Sequence, residues 1–97
     1  MRRRTVTFTP QARSDLFSIG DWIAERAGVD VALSYVERLE AYCNGFEFAG
    51  VRGRRRDDLR PGLRVVGFER RVAIVFAVSD DEVTILRLYY GGQNWER

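Results

Sequence analysis

Hydrophobic residues recur every three or four positions through the first half of the chain, which is the spacing of an amphipathic helix. Thr9 and Pro10 predict the start of the first helix, as an N-cap followed by proline at a position that needs no N–H donor. Gly28 predicts its end. Its apolar stripe comprises Ala12, Leu16, Ile19, Ile23 and Ala27.

A second stripe with the same spacing follows immediately, and Asp30 is the residue expected to cap its helix. This stripe comprises Ala32, Val36, Leu39, Cys43 and Phe46. Asn44 and Gly45 predict the end of regular helix, after which Phe46, Phe48 and Val51 are expected to return the chain to the core. The turn that joins the two helices is short, which predicts an antiparallel helical hairpin. The apolar side of this hairpin needs a sheet to cover it.

The last third of the chain changes to the two-residue period of strands. We predict a three-strand antiparallel meander of Leu63–Phe68, Val72–Val78 and Glu82–Tyr90. Val72–Val78 is apolar on both faces, which favours the central position in the sheet. Thr5–Phe8 is predicted to be an edge strand.

The element order is therefore β-α-α-β-β-β, an α+β fold. In it the N-terminal strand and the C-terminal three-strand antiparallel meander form one sheet, with the helical hairpin packed on one face. We expect residues 1–97 to be a single domain and the other face of the sheet to lie open.

Strict alternation along the last strand divides its side chains between the two faces. It places Arg87 and Tyr89 on the open face, together with Val83 and Ile85. The face expected to meet the core carries Thr84, Leu86, Leu88 and Tyr90.

Composition narrows the possible chemistry. All sixteen basic residues are arginine, and the chain has neither lysine nor histidine. Arginine stays protonated and cannot act as a base near neutral pH, so any proton transfer would need Asp, Glu, Tyr or the single Cys43. A metal site is not expected, nor any cofactor, because one cysteine is the only soft ligand. Such arginine usage has two interpretations, a GC-rich genome or the bidentate binding of phosphate and carboxylate groups.

The location of the protein is predicted from the same composition. No apolar run approaches the roughly 20 residues of a membrane span, and a lone cysteine cannot form an internal disulfide. We therefore expect a cytoplasmic protein. Cys43 belongs to the second stripe and is interpreted as a small core residue.

Two further features predict contacts with a partner. The segment 50–62 is predicted to be an exposed loop, and its arginines either bind a charged partner or pair locally with Asp57 and Asp58. Phe17 lies off the first helical stripe and is a candidate exposed anchor, whereas Trp22 is expected at the rim of the core.

Three segments resemble the ParE toxins of bacterial toxin-antitoxin modules, within the wider ParE/RelE superfamily. They are FTPQARSDL at 8–16, RDDLRPGLR at 56–64 and VTILRLYYGGQNW at 83–95. The last segment is the most specific, although Tyr90 stands where such chains usually have histidine. The resemblance extends over nearly the whole chain.

The resemblance implies a toxin that binds and inhibits DNA gyrase without chemistry of its own. It also implies neutralisation by an acidic ParD-type antitoxin, through which alone the toxin would meet DNA. Two alternatives stay open. One is a RelE-like ribonuclease that cuts messenger RNA on the ribosome, and the other is a non-toxic module that only binds the antitoxin.

Site predictions follow from this resemblance and from the exposed side chains. No catalytic residue is expected. The predicted target-binding residues are Arg87, Tyr89, Tyr90, Gln93, Asn94 and Trp95. The predicted antitoxin-binding residues are Phe17, Arg52, Arg54, Arg55, Arg56, Arg60 and Arg64.

Overall fold

A computed structural model describes residues 3–49 and 53–91. Its elements are, in chain order, β1 Thr5–Phe8, α1 Pro10–Ala27, α2 Val29–Asn44, α3 Phe46–Ala49, β2 Arg54–Arg55, β3 Leu63–Phe68, β4 Val72–Val78 and β5 Glu82–Tyr90. The predicted α+β fold is confirmed, with the helices packed against a five-stranded sheet. Within the described ranges no helix is both long and apolar enough to cross a membrane.

The first helix begins and ends where the sequence indicates. The Thr9 hydroxyl accepts a hydrogen bond from the Ala12 N–H at 3.0 Å, and Pro10 follows as the first helical residue. Gly28 ends the helix with φ 99°, a conformation that other residues adopt only with strain. Of the predicted stripe, only Ala27 is exposed.

The second helix starts earlier than predicted. Its cap position is Gly28, so no side chain caps the helix, and the helix begins at Val29. The prediction that Asp30 is the cap was therefore wrong. Asp30 lies in the first turn, where its carboxylate interacts favourably with the positive end of the helix dipole. A single glycine thus joins two antiparallel helices.

The sheet order is β1-β5-β4-β3-β2, so β4 is central as predicted. β1 pairs with β5 in parallel at one edge, and the remaining pairs are antiparallel. At the other edge Arg54–Arg55 pairs with Val65 and Arg64. The prediction of an exposed loop there was wrong about the conformation of these two residues, which are exposed but form a strand. A two-residue strand is too short for its sequence pattern to be read.

A β-bulge in β5 changes the predicted faces of that strand. Val75 lies opposite Arg87 but Phe76 lies opposite Ile85, so Leu86 is an extra residue. The alternation therefore shifts by one at this point. Val83 and Ile85 are fully buried in the core, whereas Thr84 and Leu86 are only half-buried, opposite to the prediction.

Beyond the bulge the predicted faces of β5 are right. Leu88 is buried and Tyr90 packs against the core, while Arg87 and Tyr89 lie on the other face. The core itself lies between the sheet and the hairpin. Its largest fully buried side chains are Phe46, Phe76, Leu39, Ile74, Ile85 and Val83. Phe46 therefore returns the chain to the core as predicted; the Phe48 side chain and Val51 lie outside the description.

Candidate binding surfaces

The start of α1 covers the edge of β5 that β1 leaves unpaired. β1 ends at Phe8, and the next residue, Thr9, donates its N–H to the Ile85 carbonyl at 3.0 Å. The Thr9 hydroxyl donates to the carbonyl of the bulged Leu86 at 2.8 Å. The same hydroxyl that caps α1 therefore also fixes the bulge.

Asp15 connects α1 to the C-terminal half of β5. Its carboxylate accepts two hydrogen bonds from Arg87, at 2.7 Å from Nε and 3.0 Å from the terminal nitrogen. It also accepts the Leu88 backbone N–H at 2.9 Å. The Asp15 side chain is only 16% exposed, and its hydrogen bonds raise the pKa of Arg87. We call these three residues the Asp15 clamp.

Sequence reasoning missed Asp15 as a site residue. The available signal was its place immediately before Leu16 of the buried stripe, which puts a carboxylate at the rim of the core. No period in the sequence indicates that its partner is 72 residues away.

Arg87 and Tyr89 form the outward-facing pair that the sequence predicts. The Arg87 guanidinium lies 4.8 Å from the centre of the Tyr89 ring, which permits a cation–π contact. Tyr89 is opposite Ala73 in register, and Arg87 is opposite Val75. The result is a cation beside a phenol at the border of a largely apolar sheet face.

Tyr90 lies elsewhere than its neighbour in sequence. Its ring contacts Trp22 with centroids 4.9 Å apart, and the Arg26 guanidinium lies 3.9 Å from the centre of the Trp22 ring. These rings border a cleft of about 370 Å³ between α1 and β5. Its lining residues are Asp15, Ser18, Ile19, Trp22, Arg87, Leu88 and Tyr90. Trp22 is 42% exposed, as expected of a rim residue.

A second cavity, of about 460 Å³, lies between the two helices on their outer side, and we call it the hairpin groove. Phe17, 75% exposed, and Leu33, 58% exposed, are large apolar residues along it. Its lining is completed by Arg13, Leu16, Gly20, Asp21, Ala24, Val29, Ala32, Val36 and Glu40. The groove is therefore an apolar strip with charged residues at its border.

Gly20 lines the hairpin groove and leaves room for a side chain of the second helix. A Cβ atom at this position would lie 3.2 Å from Cγ2 of Val36, closer than nearly all real contacts. The neighbour that approaches this glycine is thus a side chain of α2. A residue larger than glycine would require the Val36 side chain to move by a few tenths of an ångström.

Two arginines of the arginine-rich loop pair with carboxylates of the same loop. Arg55 contacts Asp57 at 2.6 Å and Arg56 contacts Asp58 at 3.0 Å. Asp57 also accepts the Gly62 N–H, and this bond, followed by that from Arg55, lowers the pKa of Asp57. The alternative of local pairing is therefore seen for Arg55 and Arg56.

The remaining predicted contact residues differ in position. Arg54 lies in β2 opposite Val65, Arg64 lies in β3 opposite Arg55, and Arg60 is exposed. Arg52, Gln93, Asn94 and Trp95 lie outside the described residues. Of the described members of the predicted antitoxin-binding set, only Phe17 borders a large apolar cavity.

Cys43 is expected to be unreactive in the native protein. It is fully buried, and this burial raises the pKa of its thiol to about 12. Because the thiolate is the reactive form, an alkylating reagent at pH 8 should label native protein about a thousandfold more slowly than urea-unfolded protein. Mass spectrometry over time measures both rates. Comparable rates would contradict a structural role for this thiol.

The fold is shared with solved toxin-antitoxin proteins. A chain of the chromosomal ParDE TA system from P. aeruginosa superposes with a TM-score of 0.78 at 26% identity, covering 91% of this chain and 96% of that one. A chain of the toxin-antitoxin complex RelBE2 from Mycobacterium tuberculosis has the same fold, with a TM-score of 0.65, 20% identity and 93% coverage of each chain. The architecture is thus that of the ParE/RelE toxin superfamily.

Sequence comparisons then identify the branch. The family described as "ParE toxin of type II toxin-antitoxin system, parDE" matches residues 6–95. Toxin ParE3 of Caulobacter vibrioides is 30% identical over 86 residues, which are 89% of this chain and 85% of that protein. The chain belongs to the ParE toxin family, as the terminal segment 83–95 predicts.

Proposed function

We propose that this ParE-family toxin inhibits DNA gyrase by binding it, and that a ParD-type antitoxin neutralises it. It would act in the cytoplasm as a single domain. The Asp15 clamp is the observation that carries the binding interpretation. It holds Arg87 beside Tyr89 on the sheet face opposite the helices, which suits a preformed contact surface.

The residues of this surface are poorly suited to proton transfer. Arg87 is a permanent cation and its pKa is raised further, so it can stabilise charge but cannot move a proton. The chain has no histidine or lysine, and Cys43 is buried. These features favour target binding over catalysis. Arg87, Tyr89 and Tyr90 are the described residues proposed to contact the target, continued by Gln93, Asn94 and Trp95.

The antitoxin is proposed to occupy the hairpin groove. An amphipathic helix can lay its apolar face into such a groove, and Phe17 and Leu33 supply the exposed apolar area for it. The arginines of the 52–64 segment would contact acidic residues of the antitoxin beside this helix. Contact with DNA would come only through the antitoxin.

A supercoiling assay tests the target. We expect purified toxin to block supercoiling by gyrase, and pre-incubation with antitoxin to restore it. Arg87→Ala should weaken the block about tenfold or more, because the variant removes a rigid cation from the contact surface. Normal supercoiling at saturating toxin, combined with cleavage of ribosome-bound message, would instead indicate a RelE-like ribonuclease.

A further inference from the structure

The turn between β3 and β4 has an unusual backbone conformation. Arg71 donates its N–H to the Phe68 carbonyl at 3.0 Å, which closes the turn. The two residues between them, Glu69 and Arg70, have φ of 49° and 61°. Left-handed positions in such turns normally carry Gly, Asn or Asp, because a larger L-residue there is strained.

A clamp from the second helix secures this turn. Arg38 of α2 donates to both carboxylate oxygens of Glu69, at 3.0 Å and 3.1 Å. Arg38 is held in turn by the Ser34 hydroxyl at 2.8 Å. The bidentate pair compensates part of the strain, and it also occupies the one carboxylate in the turn.

Arg70 and Arg71 are consequently exposed cations without a carboxylate partner in the described part of the chain. Many other arginines do have one within ion-pair distance. Those are Arg3, Arg13, Arg26, Arg38, Arg55, Arg56 and Arg87. Among the described residues, no carboxylate pairs with the positive charge that this turn presents.

The turn is also joined to the end of β5. Gly91 donates its N–H to the Arg71 carbonyl at 2.9 Å, and the next pairs along the ladder are Val72 with Tyr90 and Ala73 with Tyr89. Arg70 and Arg71 thus lie at the same end of the sheet as the proposed target contacts.

We propose that the Arg70–Arg71 turn is a second contact to the target, binding an acidic patch on the target protein. This inference rests on the proposed function. Glycine at position 70 would relieve the backbone strain, so an arginine there lowers the stability of the free protein. A role in target binding would explain why an arginine stands at this position. A protein partner is favoured over nucleic acid because two arginines neutralise only about two phosphates, too few for appreciable affinity at physiological salt.

Arg70→Gly is the decisive variant, because thermal stability should rise while affinity for the target falls. We expect its Tm to rise by about 4 °C, and its affinity for gyrase to fall about tenfold in the absence of DNA. Arg71→Gln should lose similar affinity without gaining stability, since residue 71 is not at positive φ. Arg3→Gln is the control. It removes an exposed arginine near β1 and should leave affinity for gyrase unchanged.

The outcomes separate the two proposals. Wild-type protein that neither binds nor inhibits gyrase would overturn the proposed function together with the second contact. Wild-type protein that inhibits normally, with Arg70→Gly equally potent, would overturn the second contact alone. An unchanged or lower Tm for Arg70→Gly would overturn the strain argument on which that contact depends. Binding to DNA alone that depends on these arginines would overturn the proposed acidic protein patch and identify a nucleic acid as the partner of the turn.

Discussion

Asp15→Ala should destabilise the protein more than the loss of any other polar side chain described. The variant removes the acceptor of three hydrogen bonds, two from Arg87 and one from the Leu88 N–H. The Arg87 side chain is 42% exposed, so water compensates part of its loss, whereas the Leu88 N–H faces the covered edge of the strand. We expect a loss of about 2–3 kcal/mol, with Tm lower by roughly 10–20 °C.

Urea unfolding followed by circular dichroism measures this effect. Asp15→Asn should lose only about 1 kcal/mol, because an amide oxygen still accepts one of the bonds. Glu40→Ala is the matched control, since it removes an exposed interhelical ion pair with Arg13 and should cost less than about 0.5 kcal/mol. If Asp15→Ala were as stable as Glu40→Ala, the Asp15 clamp would not hold β5 against α1.

The Asp15 clamp illustrates where prediction from sequence ends. The hairpin and the meander could be predicted because their patterns are local: a stripe with helical spacing from Ala12 to Ile23, and apolar runs from Val72 onward. A bond between residues 15 and 87 has no periodic signature. It depends on β1 pairing in parallel with β5, which brings the start of α1 to the end of the last strand.

The bulge at Leu86 had a different reason for escaping prediction. Alternation is reliable only while the two strands keep register, and one extra residue reverses every side chain on one side of it. The strand's apolar residues Val83 and Ile85 could indicate the core face near its start, and Leu88 could indicate it near its end. These two indications disagree by one residue, so the disagreement itself was a signal of a bulge.

The hairpin groove was only partly foreseen. Phe17 is predictable as an exposed residue because it lies off the stripe of α1. Leu33, in contrast, carries no such signal in the sequence, since an exposed leucine on a helix is ordinary. The two become one apolar surface only after the helices pack antiparallel around Gly20 and Val36. The groove is created by the packing of the two helices, and the sequence does not give the distance between them.

Phe17→Asp should abolish neutralisation by the antitoxin while leaving the fold intact. Phe17 is 75% exposed in the free protein, so the substitution removes little buried area and should shift Tm by no more than a few degrees. In the complex the same side chain would be covered. A lost aromatic anchor and a carboxylate buried against an apolar helix should together weaken antitoxin binding a hundredfold or more.

Val31→Asp provides the matched control, because Val31 is a similarly exposed apolar residue of α2, at 51%, that does not line the hairpin groove. Titration calorimetry with purified antitoxin should give near-wild-type affinity for Val31→Asp and a large loss for both Phe17→Asp and Leu33→Asp. In cells, Phe17→Asp toxin should arrest growth even when antitoxin is co-expressed, since the surface proposed to contact gyrase is unchanged. Equal losses for Val31→Asp and Phe17→Asp would contradict occupation of the hairpin groove, because a residue outside the groove would then matter as much as one that lines it.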